Sequence, residues 1–437
     1  MKLRTGPWLV LSLSLIVSFG VWHWVKVILA PAYTARILAE KRPIGNNSDL
    51  YPRWLGAREM LLHRRNPYGA DLTREIQTGF YGRPLDAQNP RDPTARESFV
   101  YPLYVAFLLA PTVNLPFSTA AEIFRWLLLA SIAFSVPLWM YALRLRFRWP
   151  LILAGTLLAV SSYPAAEEYF QQNLAALVIF FLAAAAAAAA NNRLTLSGFL
   201  LALATVKPDT SSLVVLWFLL WATGRWKERK RLFWSFTVTM VSLLIASEAM
   251  LPGWFFQFVA AVREYPTYGT DPSILRVLLP AWLAGWFGVA LIVLLAIFCW
   301  RWRKAAPASD YFGWALALVV SVTLVVLPKL AAYNQLLLIP ALLMLAGQYG
   351  NRGKASLLAR AMTKGAFACQ IWQWLAATAL SICSILLPLT EFRAIAEAPL
   401  YTLLALPPLT LAAAMLCALS LRGSFDRGLA HTAGKPA

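Results

Sequence analysis

The chain has 437 residues, of which 59% are hydrophobic and only 14% charged, and it carries a net charge of +19. A soluble domain is about a quarter charged, so the composition excludes one and points to a polytopic membrane protein. The basic excess implies no nucleic-acid partner, because much of it falls in short segments between apolar runs, where the positive-inside pattern and anionic lipid headgroups account for it.

A basic flank, Met1 to Arg4, precedes an apolar run over 7–30. The run is longer than the core of a cleaved signal peptide, so it reads as an uncleaved first span with a cytoplasmic N-terminus. Residues 31–117 then form a first extracytoplasmic loop with juxtamembrane helices. Within it, residues 46–68 read NNSDLYPRWLGAREMLLHRRNPY. Ser48 is placed to cap a helix that tolerates Pro52 in its first turn. Leu50, Trp54, Leu55, Leu61 and Leu62 give that helix an apolar side, and Arg53, Arg58, Arg64 and Arg65 give it a charged one. Such a helix lies in the membrane interface. Asp49 stands at its start, where the helix dipole favours an ionised carboxylate. That makes Asp49 a candidate general base, with a plain cap as the competing explanation.

Residues 99–117 are apolar but contain Pro102, Pro111 and Pro116. A full crossing there would place Arg144, Arg146 and Arg148 outside, against the charge rule, so a surface-lying or re-entrant helix is expected. Further spans are expected at about 120–143, 149–164, 174–190, 194–206, 209–223, 232–251, 280–300, 309–327, 335–347, 367–389 and 398–420. The reading is an all-α polytopic protein of about twelve transmembrane helices. It forms one integral membrane domain over 1–437, with both termini inside and a cytoplasmic loop at 348–366. No internal repeat is evident, which disfavours a repeat-built transporter. Cys299, Cys369, Cys383 and Cys417 form no framework, and His23, His63 and His431 are far apart, so neither a metal site nor a cofactor is expected.

This topology gathers polar residues on the outer face. Besides Asp49 they are Glu167, Glu168, Gln172 and Asn173 from one turn, Lys207 and Asp209 from the next, Arg263, and Lys329, Tyr333 and Asn334 from a late turn. Carboxylates, amides and tyrosines suit a hydroxyl-rich ligand, whereas lysine and arginine suit a phosphate. A lipid-linked sugar combines the two. Each residue also has a plainer explanation: cations near span ends snorkel, and adjacent glutamates often mark a solvated turn.

The order of these features resembles the GT-C superfamily of membrane glycosyltransferases, and most of all glycosyltransferase family 87. The resemblance rests on Asp49 followed by Asn66-Pro67-Tyr68, on Phe99-Val100-Tyr101-Pro102, on Gln171-Gln172-Asn173, and on Lys207-Pro208. The chain departs from the pattern in lacking a second proline after Pro102, in the glycine and spacing before Asn173, and in having Tyr333-Asn334 where His or Asp is usual. The resemblance implies transfer of a hexose, mannose foremost, from a polyprenyl phosphate sugar to a lipid or glycan acceptor. Transfer would be inverting, with Asp49 as base and Lys207, Arg263 and Lys329 as phosphate ligands. Tyr101, Glu167, Glu168, Gln172, Asn173, Asp209, Tyr333 and Asn334 would bind substrate. It implies an enzyme of a bacterial plasma membrane, embedded among its lipids, with an extracytoplasmic site. A GT-C transferase acting on protein or aminosugar-lipid substrates, or a lipid or small-molecule transporter, is the alternative.

Overall fold

The computed structural model describes residues 6–40, 45–86, 88–89, 92, 97–268, 273–307, 309–328, 331–348, 356–392 and 394–433. The chain opens with α1 (Gly6–His23) and α2 (Ala30–Ala39), joined through a π-helical turn at Trp24–Leu29 into one long helix. The first loop carries α3 (Leu50–His63), α4 (Ala70–Tyr81) and the short α5 (Val105–Leu109). Then follow α6 (Phe117–Ala142), α7 (Trp149–Val160), α8 (Tyr163–Gln171), α9 (Ala175–Ala190) and α10 (Leu194–Ala204). Next come α11 (Pro208–Gly224), α12 (Trp226–Met250), α13 (Trp254–Tyr268), α14 (Ile274–Leu278) and α15 (Ala281–Trp302). The chain closes with α16 (Asp310–Val326), a 3-10 turn at Ala332–Leu338, α17 (Ile339–Gln348), α18 (Leu357–Leu386) and α19 (Leu406–Ala433).

The count of about twelve crossings does not hold. Among the described residues, five helices are long and apolar enough to cross a membrane. They are Gly6–Ala39, Phe117–Ala142, Trp226–Met250, Ala281–Trp302 and Leu357–Leu386. Counting α7 and α8, bent by 53° at a short break, as one span raises the number to six. The apolar segments at 174–190, 194–206, 309–327, 335–347 and 398–420 correspond to shorter apolar helical stretches of 10–17 residues, the last being the Leu406–Ser420 part of α19. A helix of 16 residues such as α9 is about 24 Å long, short of a hydrocarbon core of about 30 Å. The physical reason for the overcount is burial. In α9 and α16 nearly every side chain is enclosed by protein, so their apolarity answers to the core of the bundle rather than to lipid. The placement of both termini on one side rested on an even number of crossings; five would separate the termini and six would keep them together.

Residues 99–117 build no crossing helix: α5 and a 3-10 turn at Ala110–Thr112 cover only its middle, and Pro116 precedes α6. Helix α3 is not the half-exposed interfacial helix its charge pattern suggests. Leu50, Pro52, Arg53, Trp54, Gly56, Ala57 and Met60 are all buried, and the Trp54 indole donates to the Thr112 carbonyl at 3.2 Å. Arg64 ends the helix in the left-handed region (φ 55°). Arg65 then bridges Glu59 (2.9 Å) and Glu75 (2.5 Å), tying α3 to α4. The hydrogen bond from Arg65 holds the Glu75 carboxyl below its ordinary range.

The alternation of the helices sorts the turns between two ends. The α8–α9 turn, the α10–α11 turn and the segment after α16 lie at one end. The basic turns that hold Arg144, Arg193, Arg225 and Arg303 lie at the other. There Arg229 donates to the carbonyls of Trp221 (2.8 Å), Arg303 (3.0 Å) and Ala305 (2.7 Å), binding three helix ends together.

Helix α3 sits where it does because Gly56 lets it press against Phe99, two residues before Tyr101. A Cβ at Gly56 would lie 2.2 Å from the Phe99 ring. Gly56→Ala is therefore expected to push α3 off Phe99 and cost about 1–3 kcal/mol, read as a lower melting temperature in detergent.

Candidate active site

Ser48 and Asp49 begin α3 against the α8–α9 turn. The Asp49 amide donates to the Gln171 carbonyl at 2.7 Å, and the buried Ser48 hydroxyl donates to Gln172 Oε1 at 2.7 Å. Ser48 Oγ also accepts from the Leu50 amide at 3.2 Å, so the cap is the serine. The Asp49 side chain makes no capping hydrogen bond. Its carboxylate turns inward instead, where Oδ2 accepts from Asn173 Nδ2 at 2.7 Å and from the Tyr333 hydroxyl at 3.0 Å. Asn173 Nδ2 reaches the Tyr333 hydroxyl as well, at 3.0 Å, closing a triangle.

Asn173 can do this because Gln172 takes the left-handed conformation (φ 53°) and breaks the chain between α8 and α9. Asn173 Oδ1 then accepts from the Ala175 amide at 3.1 Å, satisfying one of the free donors at the start of α9. The Gln172 amide is spent on the scaffold, accepting from Ser48 and donating to the Ala121 carbonyl at 3.2 Å.

Lys207 precedes Pro208 at the start of α11 and is 5% exposed. Its ammonium donates to Asn334 Oδ1 at 2.7 Å and lies 4.8 Å from the centre of the Tyr333 ring. An ammonium has three donors, so this one keeps capacity for an anion. With one hydrogen bond for three donors inside the protein, the Lys207 ammonium is under-satisfied, which makes an anionic ligand there favourable.

Two glutamates of α8 stand behind these groups. Glu167 Oε2 accepts from the Tyr333 amide at 2.6 Å. Glu168 is fully buried; Oε1 accepts from the Ala176 amide at 3.1 Å, while Oε2 has no hydrogen-bond partner among the described residues. A buried acceptor left open in this way is costly, so Glu168 is a strained member of the cluster.

Sequence reasoning named Arg53 only as part of a charged helix side. It is buried one turn after Asp49, donates to the Asp49 carbonyl, and has Nη1 3.9 Å from Asp49 Oδ1. Its guanidinium lies 4.6 Å from the centre of the Tyr101 ring. The signal was the spacing of four residues from Asp49, which puts both on one helix face. Tyr101 is held in turn by Tyr68 of the Asn-Pro-Tyr motif, whose hydroxyl donates to the Tyr101 carbonyl at 2.7 Å. Motifs distant in sequence thus meet around one carboxylate.

Other expected residues are not drawn into this group. Asp209 is exposed, with its Oδ1 accepting from the Thr210 hydroxyl at 3.3 Å. Arg263 is exposed on α13. Lys329 lies outside the described residues. Among the described residues no group of three or more His, Cys, Asp or Glu is placed to hold a metal ion.

A bundle of apolar helices that gathers a carboxylate, carboxamides, tyrosines and a buried ammonium at one end has the build of a membrane-associated transferase of the GT-C kind. Residues 99–328 match the profile of Glycosyltransferase family 87, and the chain belongs to that family of polyprenyl-phosphate-sugar-dependent glycosyltransferases. No curated protein and no solved structure matches the chain. The matched stretch contains Tyr101, Glu167, Glu168, Asn173 and Lys207, whereas Asp49, Tyr333 and Asn334 lie on either side of it.

Ser48→Ala removes the donor that satisfies buried Gln172 Oε1. It is expected to destabilise the protein by about 1–3 kcal/mol and to lower turnover by loosening Asp49 from the α8–α9 turn. Thermal unfolding and initial rates on the same preparation check both.

Proposed function

We propose that this enzyme transfers a hexose, mannose foremost, from a polyprenyl phosphate sugar to a hydroxyl of a lipid or glycan acceptor. The Asp49 carboxylate is the general base. As the acceptor oxygen bonds to the anomeric carbon, its proton passes to Asp49. The bond from that carbon to the phosphate oxygen breaks, and its electron pair leaves with the polyprenyl phosphate. One displacement of this kind inverts the anomeric centre. The observation that carries the reading is the use of the Asp49 side chain: it caps nothing and faces Asn173 and Tyr333 beside a buried ammonium.

Lys207 receives the phosphate, where fixed positive charge stabilises the leaving group as its own charge develops. The site works on the extracytoplasmic face of a bacterial plasma membrane. The arginine-rich turns at the opposite end of the bundle favour the cytoplasmic side for that end.

The direct test supplies the purified protein with radiolabelled polyprenyl phosphate mannose and a lipid extract, and scores transfer of label. Asp49→Asn keeps shape and one acceptor but takes no proton. It is expected to lower turnover by about a hundred- to ten-thousandfold with little change in melting temperature. Parent-like turnover would move the base to another carboxylate, Glu167 or Glu168.

Lys207→Ala is expected to weaken donor binding and Lys207→Arg to retain part of it, since a guanidinium keeps the charge. If both variants bind the donor as the parent does, Lys207 holds no phosphate.

A further inference from the structure

Two consecutive residues touch both halves of the chemistry. Tyr333 donates its hydroxyl to Asp49 Oδ2 at 3.0 Å and lays its ring 4.8 Å from the Lys207 ammonium. Asn334 accepts from the same ammonium at 2.7 Å. The carboxylate is thus fixed at the rim of the Tyr333 ring and the ammonium over its face. We infer that the Tyr333–Asn334 turn is the positioning element of the site, one side chain setting the base and the next setting the phosphate-binding cation. This rests on the reading of Asp49 as base and Lys207 as phosphate ligand, and it gives Tyr333 and Asn334 a role other than direct contact with the sugar.

The chemistry needs such an element. In a single displacement the attacking oxygen and the departing phosphate stand on opposite sides of the anomeric carbon. The base and the cation must therefore be held apart by the width of a sugar, and small misplacement costs rate. Asp49 and Lys207 come from different helices and have no direct ion pair to set their separation. The Tyr333 ring, rigid and anchored at both its hydroxyl and its face, supplies one.

The turn is itself well held. The Tyr333 amide donates to Glu167 Oε2 at 2.6 Å, and Gln335 Nε2 donates to the Leu403 carbonyl at 3.0 Å. Asn334, Gln335, Leu336, Leu337 and Leu338 are buried in the 3-10 turn that leads into α17. Asn173 adds a brace through its bond to the Tyr333 hydroxyl. Ala331 is extended just before the turn, and α-helix resumes at Ile339 after it.

The roles separate in kinetics. Tyr333→Phe keeps the ring against Lys207 and loses the hydroxyl, with its bonds to Asp49 and Asn173. It is expected to lower kcat roughly ten- to a hundredfold while leaving the donor KM in place. Asn334→Ala keeps Asp49 and frees the ammonium, and is expected to raise the donor KM by a similar factor while kcat holds. Steady-state rates are measured on the full chain in detergent or nanodiscs, with polyprenyl phosphate mannose as the varied substrate. Asn334→Ser, which keeps an acceptor oxygen, replaces the alanine variant if that fails to fold. Parent-like kcat in Tyr333→Phe overturns the inference, as does a matching change in both constants for both variants, which is the signature of a merely structural turn. Asp49→Asn is run alongside. If it retains turnover, the base assignment beneath the inference fails; if it is inactive while Tyr333→Phe turns over like the parent, only the positioning role fails.

Discussion

A carboxylate at the end of an apolar bundle has to be met by hydrogen-bond donors, and in this protein the donors come from far along the chain. Asp49 is reached by Asn173 from the α8–α9 turn and by Tyr333 from the turn after α16. Everything else at this end serves that meeting. Ser48 and the Asp49 amide lock the start of α3 onto the turn that presents Asn173. Glu167 fixes the backbone that presents Tyr333. Arg53 and Tyr101 close the side nearest the first loop. The low dielectric of such a site makes each satisfied bond stronger and each unsatisfied one costlier, so the cluster has few intermediate arrangements.

Much of the site was legible in the sequence because its chemistry is written in residue types. Asp49, Asn173, Lys207 and Asn334 were named from their charge or amide groups and Tyr333 from its hydroxyl, all at the ends of apolar segments, and the structure places them together. Arg53 was missed because its charge suggested solvent, and only the tertiary fold shows the guanidinium enclosed beside Tyr101. The crossing count failed for the opposite reason. A stretch such as Ala175–Ala190 is apolar on every side, and hydropathy does not say whether lipid or protein surrounds it. Helix length decides, and α9, α10 and α16 are too short. Lone polar residues such as Asp209 and Arg263 carried the same residue-type signal as Lys207. What distinguishes Lys207 is burial, which follows from the packing of α11 against its neighbours and not from its own identity.

The family relationship and the geometry bear on different parts of the chain. The matched residues 99–328 supply the scaffold turns, the ammonium and the buried glutamates. The proposed base and the dipeptide that positions it lie before and after that stretch. The cluster therefore joins the family's matched core to both of its flanks.

Asp49 and Tyr333 are separated by 284 residues, and that distance has a meaning for how the protein is made. At synthesis rates of about 5–20 residues per second, the carboxylate emerges roughly a quarter of a minute to a minute before its tyrosine partner. During that interval α3 has its serine cap but lacks the group that holds its acid in place. A chain that stops short of residue 333 has α3 and the α8–α9 turn but lacks the tyrosine to which both Asp49 and Asn173 bond, along with α17, α18 and α19.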